Sequence, residues 1–299
     1  MRDISLLIDL VVYQFRLIFV YWVAGIIAGA AVSVFLGPRL KQLTANITGK
    51  RNGAIAVVLA ALLGAASPMC MYGTIPLIAA LGRKGMPEYV ISSFMVSSIL
   101  INPNLFVFSS LALGFKIALI RLGASILAGL MAGALTAVFF RKKGLYNFDG
   151  FESKKRCGQA MHPVGKFFDE VNRTIVKTFP YLLAGIVLTA ISNRYVQSSE
   201  LSSLFGKNNG WGVVLASFVS VPLYMCGGGT IPIIKAWLEN GMSLGAALSF
   251  MLGGPATKLN NLSAVKTILG TRNFLIYLAY SVAFSLIAGW TVSLACMVL

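Results

Sequence analysis

Two stretches of this chain, MCMYGTIP from Met69 and MCGGGTIP from Met225, agree at six of eight positions. Aligning residues 69–104 with 225–260 needs no gap and gives fourteen identities in thirty-six positions, among them Cys70/Cys226, Pro76/Pro232, Gly85/Gly241 and Asn104/Asn260. Apolar composition inflates matches of Ile and Ala, but not of Cys, Pro, Gly and Asn in register. The likeness continues upstream, with YWVAGIIAGA at Tyr21 against YLLAGIVLTA at Tyr181 and GKRNG at Gly49 against GKNNG at Gly206. Self-similarity over this length makes the chain two copies of one unit, roughly 1–140 and 163–299, joined by a basic linker at 141–162.

Each copy has to satisfy long apolar runs. The chain is 57% hydrophobic and 11% charged, where a soluble domain carries roughly a quarter charged residues. Runs such as 20–36, 124–140, 181–191 and 274–299 approach, with their flanks, the ~20 residues that cross a bilayer. The expected class is an all-α polytopic membrane protein. The net charge of +16 would suggest nucleic acid in a soluble chain. Here Lys and Arg cluster in short connections between apolar runs, as cytoplasmic loops of membrane proteins do, so no nucleic-acid partner is expected. The N-terminus, MRDISLLIDLVVYQFRL, carries two aspartates and no small-residue cleavage site. It reads as an amphipathic lead helix and not a signal peptide. The four cysteines, Cys70, Cys157, Cys226 and Cys296, show neither zinc spacing nor a disulfide framework. Cys157 and His162 are two ligands alone, so no metal or cofactor is expected.

The pattern of each copy is a lead helix and first span (17–37, then 177–192), and an apolar segment that stops at the cysteine stretch (54–68, then 211–224). A short helix (74–84, then 230–240), an interrupted span (87–113, then 243–270) and a last span (115–140, then 273–298) follow. Gly73-Thr74-Ile75-Pro76 and Gly229-Thr230-Ile231-Pro232 suit a helix start with Thr as N-cap and Pro in the first turn. The flanking segments, ~15 and ~11 residues, cover too little of ~30 Å at 1.5 Å per residue to span alone. Together they suit a re-entrant hairpin with its tip near the midplane. Interruptions are expected at Asn102-Pro103-Asn104 and at Gly253-Gly254-Pro255, which makes Pro76, Pro232, Pro103 and Pro255 the hinge positions.

Charge sets the topology. Loop 38–53 carries Arg39, Lys41, Lys50 and Arg51 with no acid, and 141–177 holds nine basic residues against four acidic. Both read as cytoplasmic, with both termini outside. The loop of copy two that matches 38–53 loses this bias, as it would if copy two were upside down. Three crossings per copy make the repeats inverted. Lys116 and Arg121 then fall toward the outside, against the trend. Inverted repeats with helices broken at the midplane are the mark of secondary transporters, and irregular backbone at that depth survives only where protein or a water-filled cavity satisfies it.

The hairpin tips would bring Cys70 and Cys226 together, with Met69 and Met225 beside them. Two readings stand: ligands for a cargo, or small and flexible residues that let two turns touch. Short helices starting at Gly73-Thr74 and Gly229-Thr230 would aim free N–H groups at the centre and favour an anion or a thiolate. The second breaks add Asn102, Asn104, Asn260 and Lys258. Lys258 is either a functional ionisable group or a side chain snorkelling to the cytoplasm. None of the nine acidic residues lies mid-span, so a carboxylate relay is unsupported. A membrane thiol redox enzyme or carrier of sulfur species, and a non-transporting scaffold, are the alternatives to a transporter.

The tracts SPMCMYGTIPLIAALGRKGM, LINPN, MCGGGTIPIIKAWLENGM and FMLGGPATKLNN resemble the predicted permease family that includes the organoarsenical efflux permease ArsP. The resemblance covers nearly the whole chain apart from the linker. It implies a multi-pass permease of a prokaryotic inner or plasma membrane, without enzymatic activity. Its implied activity is efflux of trivalent organoarsenicals, whose arsenic bonds thiols, and Cys70 and Cys226 map onto that role. Many members read Cys-Ser-Cys-Gly in the first motif, whereas this chain reads Cys70-Met71-Tyr72-Gly73. The expected partners are the lipid bilayer and a small-molecule solute, and a homo-oligomer stays open.

Overall fold

The computed structural model describes residues 53–67, 71–83, 85–140, 144–146, 210–224 and 227–298, with isolated helical positions at 12, 23, 27, 165, 167–168, 171–172, 175–176 and 179. The expected lead helices, first spans and most of the linker, with Cys157 and His162, lie outside the described residues. Among those residues the fold is all-helical, without strands.

The helices are α1 (Gly53–Ala66), α2 (Met71–Arg83), α3 (Glu88–Leu100), α4 (Pro103–Leu113) and α5 (Phe115–Phe139), then α6 (Gly210–Leu223), α7 (Gly227–Glu239), α8 (Leu244–Thr257) and α9 (Leu259–Val298). Among the described residues, three apolar stretches are long enough to cross a membrane: 88–113 taken through the α3–α4 junction, α5, and 268–295 within α9. At 14 and 13 residues, α1 and α2 are ~20 Å long and shorter than the hydrocarbon layer.

Small polar side chains are buried alongside the apolar core, and many large apolar side chains face outward. The buried positions of α3 include Ser92, Ser93, Ser97 and Ser98, while Leu63, Leu111, Val138 and Leu294 stand exposed. Small polar residues at helix contacts and large apolar ones outside are what a lipid-embedded bundle requires, because lipid already solvates Leu and leaves close packing and hydrogen bonds to hold the helices.

Local structure recurs at an offset of 156 residues. The positive-φ glycines form two such pairs, Gly85 with Gly241 (φ 84° and 98°) and Gly114 with Gly270 (φ 95° and 69°). Gly114 separates α4 from α5, and Gly270 kinks α9 at the equivalent point. Helix packing repeats too. A Cβ added at Gly133 would meet Val57 Cγ1, Ser93 Cβ and the Tyr89 carbonyl; one added at Gly289 would meet Val213 Cγ1, Ser249 Cβ and the Gly245 carbonyl, the same three neighbours moved on by the offset. Ser93 Oγ donates to the Val57 carbonyl at 2.9 Å and Ser249 Oγ to the Val213 carbonyl at 3.4 Å.

Two expectations are corrected. Helices α2 and α7 begin at Met71 and Gly227, so Thr74 and Thr230 lie inside the first turn and do not serve as N-caps. Thr74 is fully buried, and its hydroxyl shares a hydrogen bond with Ser98 Oγ at 3.3 Å. Pro76 and Pro232 consequently fall in the second turn, where the missing N–H removes one helical bond. The interruption in copy two lies at Lys258, between α8 and α9, and Pro255 sits inside α8. Lys258 corresponds to Asn102, so the two breaks are at equivalent positions. Arg121 is fully buried, at 0% exposed.

Candidate functional site

The two interrupted helices pack against each other, and their junctions lie beside one shared cavity at the centre of the described helices, with Leu100 and Ala256 in its wall. In α3–α4 the chain is extended at Ile101 (φ −145°, ψ 148°) and Asn102 (φ −142°, ψ 166°), and Pro103 restarts the helix at N1. Asn102 Oδ1 accepts from the Leu105 N–H at 2.8 Å, which answers one of the unpaired donors of the new helix. In α8–α9 the single extended residue is Lys258 (φ −51°, ψ 130°). Its N–H donates to the Gly254 carbonyl and its carbonyl accepts from Leu262, each at 2.9 Å.

Each break strands carbonyls that the helix no longer satisfies, and each copy places a side chain from the same position near one of them. Tyr277 Oη donates to the Ala256 carbonyl at 3.1 Å. Arg121, 156 residues earlier, approaches the equivalent carbonyl of Leu100 with Nη2 at 3.5 Å. The same nitrogen lies 3.5 Å from the carbonyl of Met251, which is the i−4 acceptor left without a donor by Pro255. Nη1 donates to Ser109 Oγ at 2.8 Å, and that hydroxyl donates onward to the Leu105 carbonyl at 2.6 Å. Arg121 therefore touches α3, α4 and α8 from α5.

A cavity of about 10 Å³ lies beside this cluster, lined by Val96, Leu100, Ala128, Leu252, Ala256, Tyr277, Tyr280, Ser281 and Phe284. It has room for about one water molecule. Three pairs in the lining, Val96/Leu252, Leu100/Ala256 and Ala128/Phe284, are related by the 156-residue offset, so both copies contribute equivalent walls. Tyr280 Oη crosses between copies to donate to the Ala128 carbonyl.

The sequence-derived candidates are distributed unevenly about this centre. Asn102 and Lys258 mark the breaks, both half-buried. Pro103 opens α4, and Asn104 is exposed next to it. Thr74 and Thr230 are buried in the first turns of α2 and α7. The backbones of Gly73, Pro76, Gly229, Pro232 and Asn260 are helical. Met69, Cys70, Met225 and Cys226 lie outside the described residues. Among the described residues no cluster of His, Cys, Asp and Glu could hold a metal. The charged group that sequence reasoning missed is Arg121. A basic residue near a span end reads as snorkelling to the interface. The available signal was its register, which puts it opposite Tyr277 and seven residues past the Gly114 break.

The sequence matches the family described as predicted permease over residues 4–294. Among curated relatives, UPF0718 protein YcgR of Bacillus subtilis is 24% identical over 249 residues, covering 80% of each chain. A Streptococcus mutans protein named "Putative two-component membrane permease complex subunit" is 23% identical over 267 residues, covering 86% of this chain and 85% of the relative. UPF0718 protein MJ0584 of Methanocaldococcus jannaschii is 30% identical over 118 residues, which is 39% of this chain and 32% of that protein. No solved structure matches the chain.

Proposed function

The chain belongs to the predicted permease family, and from that premise we propose that it is a secondary transporter moving a small thiophilic or anionic solute through a site between two inverted repeats. The repeats are residues 1–140 and 163–299, the linker 141–162 is cytoplasmic, and each repeat carries a re-entrant hairpin, α1–α2 and α6–α7. Trivalent organoarsenicals are the first solutes to test, and efflux the first direction.

The observation that carries the reading is the meeting of two helices interrupted at equivalent residues, Asn102 and Lys258, around a cavity whose walls come from both copies. Broken helices at a repeat interface are where secondary transporters hold their cargo. Inversion is supported by the run of the last helices. Asn273, near the start of the post-kink part of α9, donates to the Leu145 carbonyl at 2.7 Å, and Leu145 lies just past the end of α5. Such a contact is what equivalent helices running in opposite directions would make, as an axis in the membrane plane requires. Cys70 and Cys226 immediately precede α2 and α7 in sequence. A thiol at a helix N-terminus gains thiolate character from the dipole, and a thiolate is the ligand that trivalent arsenic takes. The name of the Streptococcus mutans relative supports a partner subunit.

The test is efflux from cells that lack arsenical exporters of their own. Cells expressing the chain should retain less methylarsenite than controls, and the Cys70→Ser, Cys226→Ser double variant should retain as much as controls. Unchanged efflux by the double variant would sink the thiol mechanism. Solute consumed without net flux would point to a thiol enzyme instead.

A further inference from the structure

We propose that Arg121 is the anion anchor of this transporter, built to hold a carboxylate or oxyanion side-on against its Nε–Nη2 edge. The proposal rests on the transporter reading and narrows its solute to an anion, or to a thiophilic solute bearing one.

The guanidinium has two ends in different states. Nη1 is committed to Ser109 Oγ at 2.8 Å. Nη2 has only two distant carbonyls at 3.5 Å, beyond the 2.7–3.2 Å of a normal N–H···O bond. Nε, fully enclosed, has no hydrogen-bond partner, and it is the one buried side-chain nitrogen or oxygen among the described residues in that condition. The Nε–H and the neighbouring Nη2–H point in parallel, and that edge is the one that grips two oxygens of a carboxylate or oxyanion. It is the unfilled edge here.

Charge points the same way. A guanidinium 0% exposed carries a desolvation cost that carbonyl dipoles only partly offset, and a full negative charge is the partner that offsets it. The two described carboxylates are elsewhere: Glu88 Oε2 accepts from the Leu145 N–H at 2.8 Å, and Glu239 is exposed. A water molecule would satisfy Nε and leave the charge. A cation inside a membrane bundle is a functional group by default. The second copy holds neutral Tyr277 at the equivalent position, so this pair of positions carries one positive charge and not two. The adjoining cavity has room for about one water molecule, so in this proposal an anion reaches the Nε–Nη2 edge as the two copies part.

The test uses the whole protein purified in detergent, with melting followed in sodium acetate, phosphate and sulfate against chloride at constant ionic strength. At least one of the three probes should raise the Tm of the wild type by several degrees, by linkage. Arg121→Gln should abolish the rise. Arg121→Lys keeps the charge without the planar fork and should shrink the rise at least threefold in apparent affinity. If Arg121→Gln does not fold, the Lys variant decides. No rise in the wild type with any probe, or the same rise in the variants, overturns the proposal. Solute flux from the same preparation in proteoliposomes separates the two readings: flux without an anion response removes the anchor alone, whereas absence of both removes the transporter reading as well.

Discussion

Arg121 and Tyr277 reach equivalent carbonyls from equivalent helices: Nη2 of Arg121 lies 3.5 Å from the Leu100 carbonyl, and Tyr277 Oη donates to the Ala256 carbonyl at 3.1 Å. Both partners of each pair are 156 residues apart. A helix broken inside a membrane leaves carbonyls that neither lipid nor the helix can satisfy, and each copy places a side chain from its last span beside one of them: Tyr277 bonds its carbonyl, whereas Arg121 only approaches its own. The copies differ in what they bring. One brings a phenol and the other a cation, which makes the centre of the bundle symmetric in shape and asymmetric in charge.

Tyr277→Phe should leave the Ala256 carbonyl without this donor. Losing the partner of a buried polar group costs about 1–3 kcal/mol, so denaturation in detergent should show a lower midpoint at unchanged helical content. An unchanged midpoint would mean that the hydroxyl does not support the break.

Gly289→Ala and Gly133→Ala should each destabilise. The new methyl would lie 2.6 Å from Val213 Cγ1 in one case and 2.7 Å from Val57 Cγ1 in the other, and overpacking of this kind costs about 1–3 kcal/mol. Gly123→Ala, with nothing within 4 Å of the added carbon, is the control and should leave the midpoint level or slightly raised, since Ala favours helix over Gly. Equal effects at all three positions would contradict the repeated packing.

Tyr146, just past the end of α5, gives a pH signature. Burial pushes its phenol well above 10.0, the Ser92 hydroxyl pulls it back in part, and Glu88 pushes it further up. The folded state therefore favours the neutral phenol. That contribution is complete below the unfolded value near pH 10.0 and is lost as pH rises toward the folded value. Melting temperature against pH should stay level from pH 7 to 9 and fall above about 10, and the fall should be shallower in Tyr146→Phe. Equal slopes would show that this phenol contributes nothing to alkaline lability.

Much of this was legible in the chain, for physical reasons. Apolar runs with edge charges report lipid exposure directly, and an Asn-Pro pair can only cap and restart a helix, so the break at Asn102 was readable. Pro255 misled because a proline costs a helix one bond, and Arg121 approaches the carbonyl that it frees. The helix then runs on to Thr257 and breaks at Lys258, a position with no breaker residue. Thr74 and Thr230 looked like caps because Gly and Pro flank them, whereas packing against α3 draws Thr74 inward to Ser98. Arg121 was hidden because its burial depends on Ser109, Leu100 and Met251 converging from three helices, which spacing along one helix does not encode.

The central claim is transport through a thiol-lined site between the copies, and flux in proteoliposomes containing only this chain measures it most directly. Methylarsenite loaded on one side should cross saturably and without ATP, and the Cys70→Ser, Cys226→Ser protein should bring the rate to that of empty liposomes. Equal rates for wild type and empty liposomes, with the protein folded and inserted in both orientations, would contradict transport by this chain alone.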